Sequence, residues 1–114
     1  MQTFGKKGED LACRFLEGGG YEILERNYRY KQSEIDVVCK TDDLLIFVEV
    51  KTRSSRIYGE PESFVSESQQ VAIIRAAEYY MAESEWTGDI RFDIISIIKS
   101  SNDEEIVHLK DAFY

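Results

Sequence analysis

Apolar and polar residues follow two periodicities along the chain, and the change from one to the other marks the predicted elements. Residues 3–17 and 66–83 repeat apolar side chains at intervals of three and four, which predicts two amphipathic helices. Stretches rich in β-branched and aromatic residues predict five strands, at 21–30, 34–40, 44–52, 90–98 and 105–110. The helices and strands follow in the order αβββαββ, which predicts one α/β domain, residues 1–114, with a mixed β-sheet flanked by helices.

A short acidic turn joins the second and third predicted strands and fixes how they pair. With residues 42–43 at the centre of the turn, antiparallel pairing places Asp36 opposite Glu49. The same register places Glu34 opposite Lys51. Because side chains alternate between faces, these four charged residues share one face of the hairpin. The apolar face then comprises Ile35, Val37, Cys39, Ile46, Val48 and Val50.

Two carboxylates directly opposite each other are costly in a sheet. At about 5 Å and an effective dielectric of about 20, Asp36 and Glu49 repel by roughly 3 kcal/mol, whereas a good cross-strand pair contributes only about 0.2–1 kcal/mol. A divalent cation turns the repulsion into attraction, because Mg²⁺ prefers carboxylate oxygens. Alternatively, water screens an exposed strand face on which Glu34 and Lys51 form an ordinary surface pair. A turn shifted by one residue would also separate the four side chains.

This charged face suits phosphodiester hydrolysis. We expect Asp36 and Glu49 to hold Mg²⁺ or Mn²⁺, with the backbone carbonyl of Val50 as a further oxygen ligand. Lys51 returns to the same face, where it would orient the attacking water or stabilise transition-state charge. The pattern therefore predicts a metal-dependent hydrolase.

The same residues carry a resemblance to known proteins. The spacing Asp36…Glu49-Val50-Lys51 is similar to the PD-(D/E)XK signature of restriction-endonuclease-like nucleases. Nearly the whole chain also resembles the YraN-like family of small bacterial predicted endonucleases. The matching blocks are Gly5-Lys6-Lys7-Gly8-Glu9, Asn27-Tyr28-Arg29, Glu34-Ile35-Asp36, Phe47-Val48-Glu49-Val50-Lys51-Thr52-Arg53, Arg91-Phe92-Asp93 and Ala112-Phe113.

The resemblance implies a restriction-endonuclease-like fold and a role for each residue of the charged face. Asp36, Glu49 and Lys51 would be catalytic, with Glu34 as a secondary ligand. The resemblance also implies that Glu9 on the first helix binds metal. Its position alone is equally typical of a surface glutamate near a helix N-terminus.

Gln69 and Ser33 depart from the family pattern, which typically has lysine and glycine there. Ser66 and Gln69 fit a capping box at the start of the second helix, which explains both residues structurally. The missing lysine weakens the expectation that a cation on this helix assists catalysis. Gln69 stays a secondary candidate for the site.

Composition and charge limit the function classes. No apolar run approaches the roughly 20 residues that span a bilayer, and residues 1–10 lack the apolar region of a signal peptide. We therefore expect a cytoplasmic protein without a membrane partner. The net charge is −8, and residues 58–114 account for all of it with four basic and twelve acidic residues. Because phosphate binding depends on positive charge, nucleic-acid affinity would have to come from local patches, metal or a partner.

Basic residues flank the charged face in the sequence. Arg29 and Lys31 lie among the tyrosines of the first strand, where they would contact phosphates while the rings stack on bases. An edge strand kept soluble by its charge explains them at least as well. Arg53 and Arg56, at the loop after the third strand, would meet phosphates if that loop closes on substrate, or belong to a plain connector.

Four further residues are predicted to be structural. His108, the only histidine, is predicted to lie on a strand surface. Asp93 is predicted to pair with Arg91 or with a helix end. Cys13 and Cys39 lie among apolar residues without the spacing of a metal site, which predicts buried free thiols.

These features predict a Mg²⁺- or Mn²⁺-dependent endonuclease that acts on nucleic acid, with DNA, including branched or repair intermediates, as the expected substrate. Two alternatives stay open. One is a nucleic-acid-binding or recombination accessory module without turnover, and the other is a protein–protein interaction domain, for which a charge of −8 is unremarkable. The sequence also leaves open DNA against RNA, the shape of the substrate and whether the chain forms a homodimer.

Overall fold

The helices and strands follow one another in the order that the sequence predicts. The structure, a computed structural model, describes residues 4–54, 65–100 and 103–114, which contain two helices and five strands. The helices are α1, Phe4–Gly18, and α2, Glu67–Ser84. The strands are β1 (Glu22–Tyr30), β2 (Ser33–Thr41), β3 (Leu44–Arg53), β4 (Asp89–Lys99) and β5 (Glu104–Leu109).

The five strands form one sheet in the order β1-β2-β3-β4-β5. Neighbouring strands are antiparallel except β3 and β4, which run parallel along ten paired positions from Leu44↔Asp89 to Arg53↔Ile98. A parallel pair needs a crossover connection, and α2 lies in the connection between these two strands. The predicted mixed sheet is therefore confirmed.

Each helix covers one face of the sheet. α1 packs in a buried cluster that contains Leu16, Val37 and Ile46, which we call the α1 cluster. α2 packs on the other face in a cluster that contains Ile73 and Phe47, which we call the α2 cluster. Each buried aliphatic or aromatic side chain contributes about 1.5–3 kcal/mol, so the two clusters hold the layers together. Within the described residues, no helix combines the length and apolar character needed to cross a bilayer.

The two cysteines are free and buried, as predicted. Both lie in the α1 cluster. Burial raises the pKa of the Cys13 and Cys39 thiols, which keeps them in the neutral, unreactive form.

The β2–β3 hairpin has the predicted register, but its ladder is shorter than expected. Paired positions run from the turn to Val37↔Val48 and end there. Asp36 and Glu49 lie one step beyond the last pair, so they do not form a ladder pair, although the register is the predicted one and their carboxyl groups are within hydrogen-bonding contact. The strands separate at this point, where the Asp36 side chain accepts a hydrogen bond from the Val50 backbone N–H.

Ile35 does not share the face of Val37, contrary to the alternation predicted for β2. It packs in the α2 cluster with Val38 and Phe47. Asn27 lies on β1 between the residues paired with Val37 and Ile35, and its φ of 55° is left-handed. A left-handed residue interrupts the regular pleat, so strict alternation fails locally.

Asp93 is fully buried, and its predicted pairing with Arg91 is confirmed. Arg91 donates to both carboxylate oxygens at 2.8 Å, from Nε and from an amino nitrogen. The His108 Nε2 lies 2.7 Å from Asp93 Oδ2, and the Asp111 N–H donates to Oδ1 at 3.0 Å. Burial alone would raise the pKa of Asp93, but the bonds from His108, Arg91 and Asp111 outweigh it and hold the pKa below its ordinary value.

The predicted surface position of His108 is wrong. Its side chain is only 9% exposed and bonds to Asp93. Phe15 and Tyr21 each meet the imidazole ring edge-on at 6.0 Å between centroids. The pattern of a short edge strand cannot reveal that a buried aspartate on the neighbouring strand requires a partner.

We expect the Asp93→Ala variant to lose about 3–5 kcal/mol of unfolding free energy, because it leaves the Arg91 guanidinium without its buried partner. The Asp103→Ala variant, at an exposed position, is the matched control and should change by less than about 0.5 kcal/mol. Urea unfolding at neutral pH measures both. Equal stability of the two variants would contradict the assigned role of Asp93.

The same carboxylate gives stability a defined pH dependence. Because its folded pKa is lowered, Asp93 stabilises the fold above its unfolded pKa of about 3.9, and this contribution is lost as the pH falls through the folded value. Urea unfolding across the acid range should therefore show a shallower loss of stability for Asp93→Asn than for the unmodified protein.

Candidate active site

A cleft of about 550 Å³ opens where β2 and β3 separate. Four of its residues carry carboxylates and one carries an ammonium group. The charged face predicted from the hairpin thus converges on one cleft, although the strands are no longer paired there. The lining residues are Glu9, Gln32, Ser33, Glu34, Asp36, Glu49, Val50, Lys51, Thr52, Gln69, Ala72 and Ile73.

Asp36 explains why the β2–β3 ladder ends. Its Oδ2 accepts a hydrogen bond from the backbone N–H of Val50 at 2.8 Å. In a continued antiparallel ladder this N–H would donate to a backbone carbonyl of β2. The side chain takes the place of that carbonyl, so the strands separate and the Asp36 carboxylate is fixed at the opening.

Three carboxylates crowd together on the α1 side of the cleft. Oxygens of Glu9, Glu34 and Asp36 all lie within 4.8 Å of one another. Two unit charges 4.8 Å apart repel by about 3.5 kcal/mol at an effective dielectric of about 20. The predicted grouping of Glu9 with Asp36 is therefore present in the structure, and Glu34 belongs to it.

Asn27 joins two members of this group and was missed by the sequence analysis. With its amide nitrogen turned towards the carboxylates, Asn27 donates to Glu9 Oε1 at 3.1 Å and to Glu34 Oε1 at 3.2 Å. Carboxylates only accept hydrogen bonds, so this orientation satisfies all three groups. The left-handed backbone at Asn27 is one that asparagine tolerates. The block Asn27-Tyr28-Arg29 contained this residue, but nothing in its spacing indicates the contact.

Glu49 is buried next to Asp36 in the same cleft, with 7% of its surface exposed. Burial, followed by a hydrogen bond and the negative charge from Asp36, raises the pKa of Glu49 far above its ordinary value. Lys51 and Gln69 oppose the rise in pKa only in part. The Glu49 side chain thus favours the uptake of positive charge, as a proton or as a cation.

Gln69 contacts the site through its side chain. The backbone N–H of Gln69 donates to the Ser66 hydroxyl at 3.2 Å, which confirms the predicted helix cap. The Gln69 side chain does not complete a capping box, because its Nε2 donates to Glu49 Oε2 at 3.2 Å. Ser66 is thus explained as a cap, whereas Gln69 orients a carboxylate of the cleft.

Glu9 is the second carboxylate with an altered pKa. Burial and the nearby charge of Asp36 raise the pKa of Glu9, against the opposing effects of Asn27, Lys6 and Arg26. The Arg26 guanidinium lies 3.9 Å from Glu9 and donates to Asp10 at 2.6 Å. Arg26 therefore offsets only part of the negative charge of the cluster.

Lys51 lines the cleft, and its ammonium charge lowers the pKa of Glu49. The predicted surface pair between Lys51 and Glu34 is not formed. Glu34 instead pairs with Arg29 across β1 and β2, at 3.3 Å. Lys51 thus places an ammonium group beside the carboxylates of the cleft.

The residues predicted to contact phosphates lie in different settings. Arg29 is engaged with Glu34, although its side chain is 73% exposed. The Lys31 ammonium lies 5.4 Å from the centre of the Tyr30 ring. Arg53 is the last residue of β3, and Arg56 lies outside the described residues. Their contacts with nucleic acid stay predictions.

α1 approaches β3 closely at one point, and this contact sets the position of Glu9. A Cβ on Gly8 would collide with the Thr52 hydroxyl and lie 3.2 Å from the Thr52 Cβ. Only glycine allows the helix to come this near to the end of β3. Glu9, the next residue, is thereby held in the cleft.

The fold and the cleft define the class of the protein. A mixed sheet of order αβββαββ between two helices, with acidic residues gathered where β2 and β3 separate, is consistent with the restriction-endonuclease-like fold. Residues 8–97 match the uncharacterised protein family UPF0102, to which the chain belongs. The YraN-like family is this same family, so the resemblance drawn from the motifs is confirmed.

Relatives of similar length occur in several organisms. The chain is 46% identical over 110 residues to a UPF0102 protein of Christiangramia forsetii, covering 96% of this chain and 92% of that protein. It is 45% identical over 114 residues to a UPF0102 protein of Flavobacterium johnsoniae, covering 96% and 93%. It is 43% identical over 116 residues to one of Clostridium perfringens, covering 98% and 94%.

We expect the Gly8→Ala variant to be destabilised by about 1–2 kcal/mol, because overpacking against Thr52 exceeds the gain in helix propensity. Gly18→Ala is the matched control on the same helix, since a Cβ there meets nothing within 4 Å. The control should be as stable as the unmodified protein or slightly more stable. Chemical unfolding compares the two variants.

Removing the Thr52 hydroxyl should relieve the collision. The double variant Gly8→Ala/Thr52→Ala is therefore expected to be more stable than the sum of its single changes. Strict additivity would show that the Gly8–Thr52 contact does not limit the approach of α1.

Proposed function

We propose that this protein is a metal-dependent nuclease that hydrolyses phosphodiester bonds in nucleic acid, with DNA as the expected substrate. The observation that carries the proposal is the crowding of Asp36 with Glu9 and Glu34, within 4.8 Å, beside the buried Glu49. Buried carboxylates are costly unless they are paired or bind a cation. Four carboxylates around one opening, of which Glu49 is buried and the others are partly buried, together with a single lysine, therefore favour a bound divalent ion.

The donors of the cleft fit Mg²⁺ or Mn²⁺. Every candidate ligand is an oxygen atom, which these hard cations prefer over nitrogen and sulfur. Asp36, Glu9 and Glu49 would hold the ion, with Glu34 as a secondary ligand. The backbone carbonyl of Val50, a residue that also lines the cleft, would be a further oxygen ligand. When bound, the ion would polarise the phosphate and lower the pKa of a water molecule.

The protein's own side chains have separate tasks in this proposal. The Val50 N–H fixes the orientation of the Asp36 carboxylate, and Gln69 does the same for Glu49. Lys51 places a positive charge in the cleft, where it would stabilise the negative charge that develops on the phosphate. Positioning and charge stabilisation supply most of the catalysis in phosphate chemistry, so few side chains suffice.

A nucleic-acid-binding module without turnover is the second candidate. The glutamine at position 69 favours it, because the resembled family typically has a lysine there and this chain lacks that cation. Such a module would bind nucleic acid with little dependence on Asp36 or Glu49. An interaction domain would bind no oligonucleotide even at low salt, where phosphate contacts are strongest.

We expect Mn²⁺ to stabilise the protein and to do so through Asp36. A free concentration one hundred times the Kd adds about 2.7 kcal/mol to the unfolding free energy. Asp36→Asn should abolish this gain, whereas Asp89→Asn, at an exposed position outside the cleft, should keep it. The same gain in both variants would place the ion elsewhere and contradict the proposed site.

We expect purified protein with Mn²⁺ to cut DNA, and Lys51→Ala to lower kcat/KM by about a hundredfold or more, as loss of one transition-state contact does. Branched, single-stranded and duplex DNA are the substrates to assay. Lys40→Ala is the control, because Lys40 lies on β2 outside the cleft and pairs only loosely with Glu22, at 4.0 Å.

The stabilisation by Mn²⁺ should persist in Lys51→Ala, which separates a loss of chemistry from a loss of metal or fold. If Lys51→Ala and the unmodified protein cut all three substrates at the same rate, the nuclease proposal is wrong.

A further inference from the structure

Two tyrosines at the protein surface stack on each other. The rings of Tyr30 on β1 and Tyr79 on α2 lie 4.6 Å apart between centroids, at an interplanar angle of 32°. Tyr79 remains 45% exposed, one of four large apolar side chains that are exposed among the described residues. The Lys31 ammonium adjoins the pair, 5.4 Å from the Tyr30 ring. The pair thus offers an accessible aromatic surface next to a positive charge.

The other tyrosine of this strand has a structural role. The Tyr28 hydroxyl donates to Glu83 at 2.9 Å, and its ring meets Tyr80 edge-on at 5.1 Å. Tyr28 and Tyr30 are both partly buried against the α2 cluster, so the hydroxyl bond and the Tyr80 contact are what distinguish Tyr28. Of the tyrosines on β1, we therefore expect Tyr30 to stack on bases, together with its partner Tyr79 on α2.

The segments that carry the two tyrosines also carry residues that line the candidate active site. Gln32 and Ser33, which directly follow Lys31, line the cleft. On α2, Ile73 lines the cleft and precedes Tyr79 by six residues, about 9 Å along the helix axis. This distance corresponds to a small number of nucleotides along a strand.

The charges around the pair suit a phosphate backbone. Arg75 lies one helical turn before Tyr79 on the exposed side of α2, and Lys31 is exposed as well. Glu78, and Glu83 one turn after Tyr79, are acidic neighbours on the helix. Glu83 accepts a hydrogen bond from the Tyr28 hydroxyl, however, and the Arg29 charge nearby is shared with Glu34. Two cations beside two aromatic rings form the combination that binds single strands, in which bases stack while the backbone follows positive charge.

We propose that the Tyr30–Tyr79 pair is a stacking platform for an unpaired base of the substrate, a few nucleotides from the bond to be cleaved. This inference rests on the proposed nuclease function. In a duplex each base face is covered by its neighbour, so an unpaired or terminal base is needed to stack on Tyr79. The substrate class is therefore nucleic acid with a single-stranded segment beside the cleaved bond, such as a flap, an overhang or a branch.

Binding of fluorescent DNA to the Lys51→Ala protein with Mn²⁺ tests the platform without turnover. Adding Tyr79→Ala should weaken binding of a single strand or an overhang by about tenfold and that of a blunt duplex by less than about twofold. Tyr79→Phe, which keeps the ring, should bind as the Lys51→Ala parent does. Phe15→Ala removes another exposed aromatic ring, outside the cleft, and is the matched control.

A strand that carries abasic sites identifies the group that stacks. If Tyr79 contacts a base, the Tyr79→Ala effect should disappear on the abasic strand, because both partners of the contact are then missing. An equal effect on intact and abasic strands would overturn the stacking proposal.

Failure of this inference and failure of the proposed function give different results. If the Lys51→Ala parent binds no DNA at low salt, both fail. If the parent binds DNA and Tyr79→Ala binds single strands equally well, only the platform is wrong. If Tyr79→Ala alters the oligomeric state in solution and leaves DNA binding unchanged, the pair is a contact between copies and the platform is again wrong.

Discussion

The hydrogen bond from the Val50 N–H to the Asp36 carboxylate determines where the central hairpin stops being a sheet. Because a side chain takes the ladder bond, β2 and β3 separate after Val37↔Val48 and leave a cleft between them. β3 continues beyond this point because β4 pairs with it in parallel as far as Arg53. Beyond the separation β3 stays paired with β4 and β2 stays paired with β1, and the residues of both strand ends line a common opening.

Two further contacts complete the cleft from outside the hairpin. The absence of a side chain at Gly8 lets α1 lie close to Thr52, which brings Glu9 to the carboxylates of β2. From the other face, α2 places Gln69 against Glu49. Nearby cations offset the resulting negative charge only in part, since Arg26 bonds mainly to Asp10, at 2.6 Å against 3.9 Å to Glu9, and Arg29 pairs with Glu34. A bound cation would balance it, and this need connects the fold to the proposed chemistry.

The local pattern of apolar, polar and turn residues was sufficient to predict the helices and strands, their order and the register of the hairpin. Each of these depends on residues that are close in sequence. The pattern also identified Asp36, Glu49 and Lys51 as residues of one cleft. It failed where a position depends on a distant partner. His108 is buried because Asp93 needs it, Ile35 changes face beside the left-handed Asn27, and the Asn27 amide joins carboxylates from two other elements. These contacts exist only after the layers have packed, so no spacing within one segment indicates them.

The most direct test is the anomalous difference map of a crystal soaked in Mn²⁺. The account predicts one strong peak in the cleft, coordinated by Asp36 together with Glu9 or Glu49. A map without a peak there, with the carboxylates turned apart towards solvent, would contradict it, and so would a strong peak at carboxylates elsewhere on the surface alone.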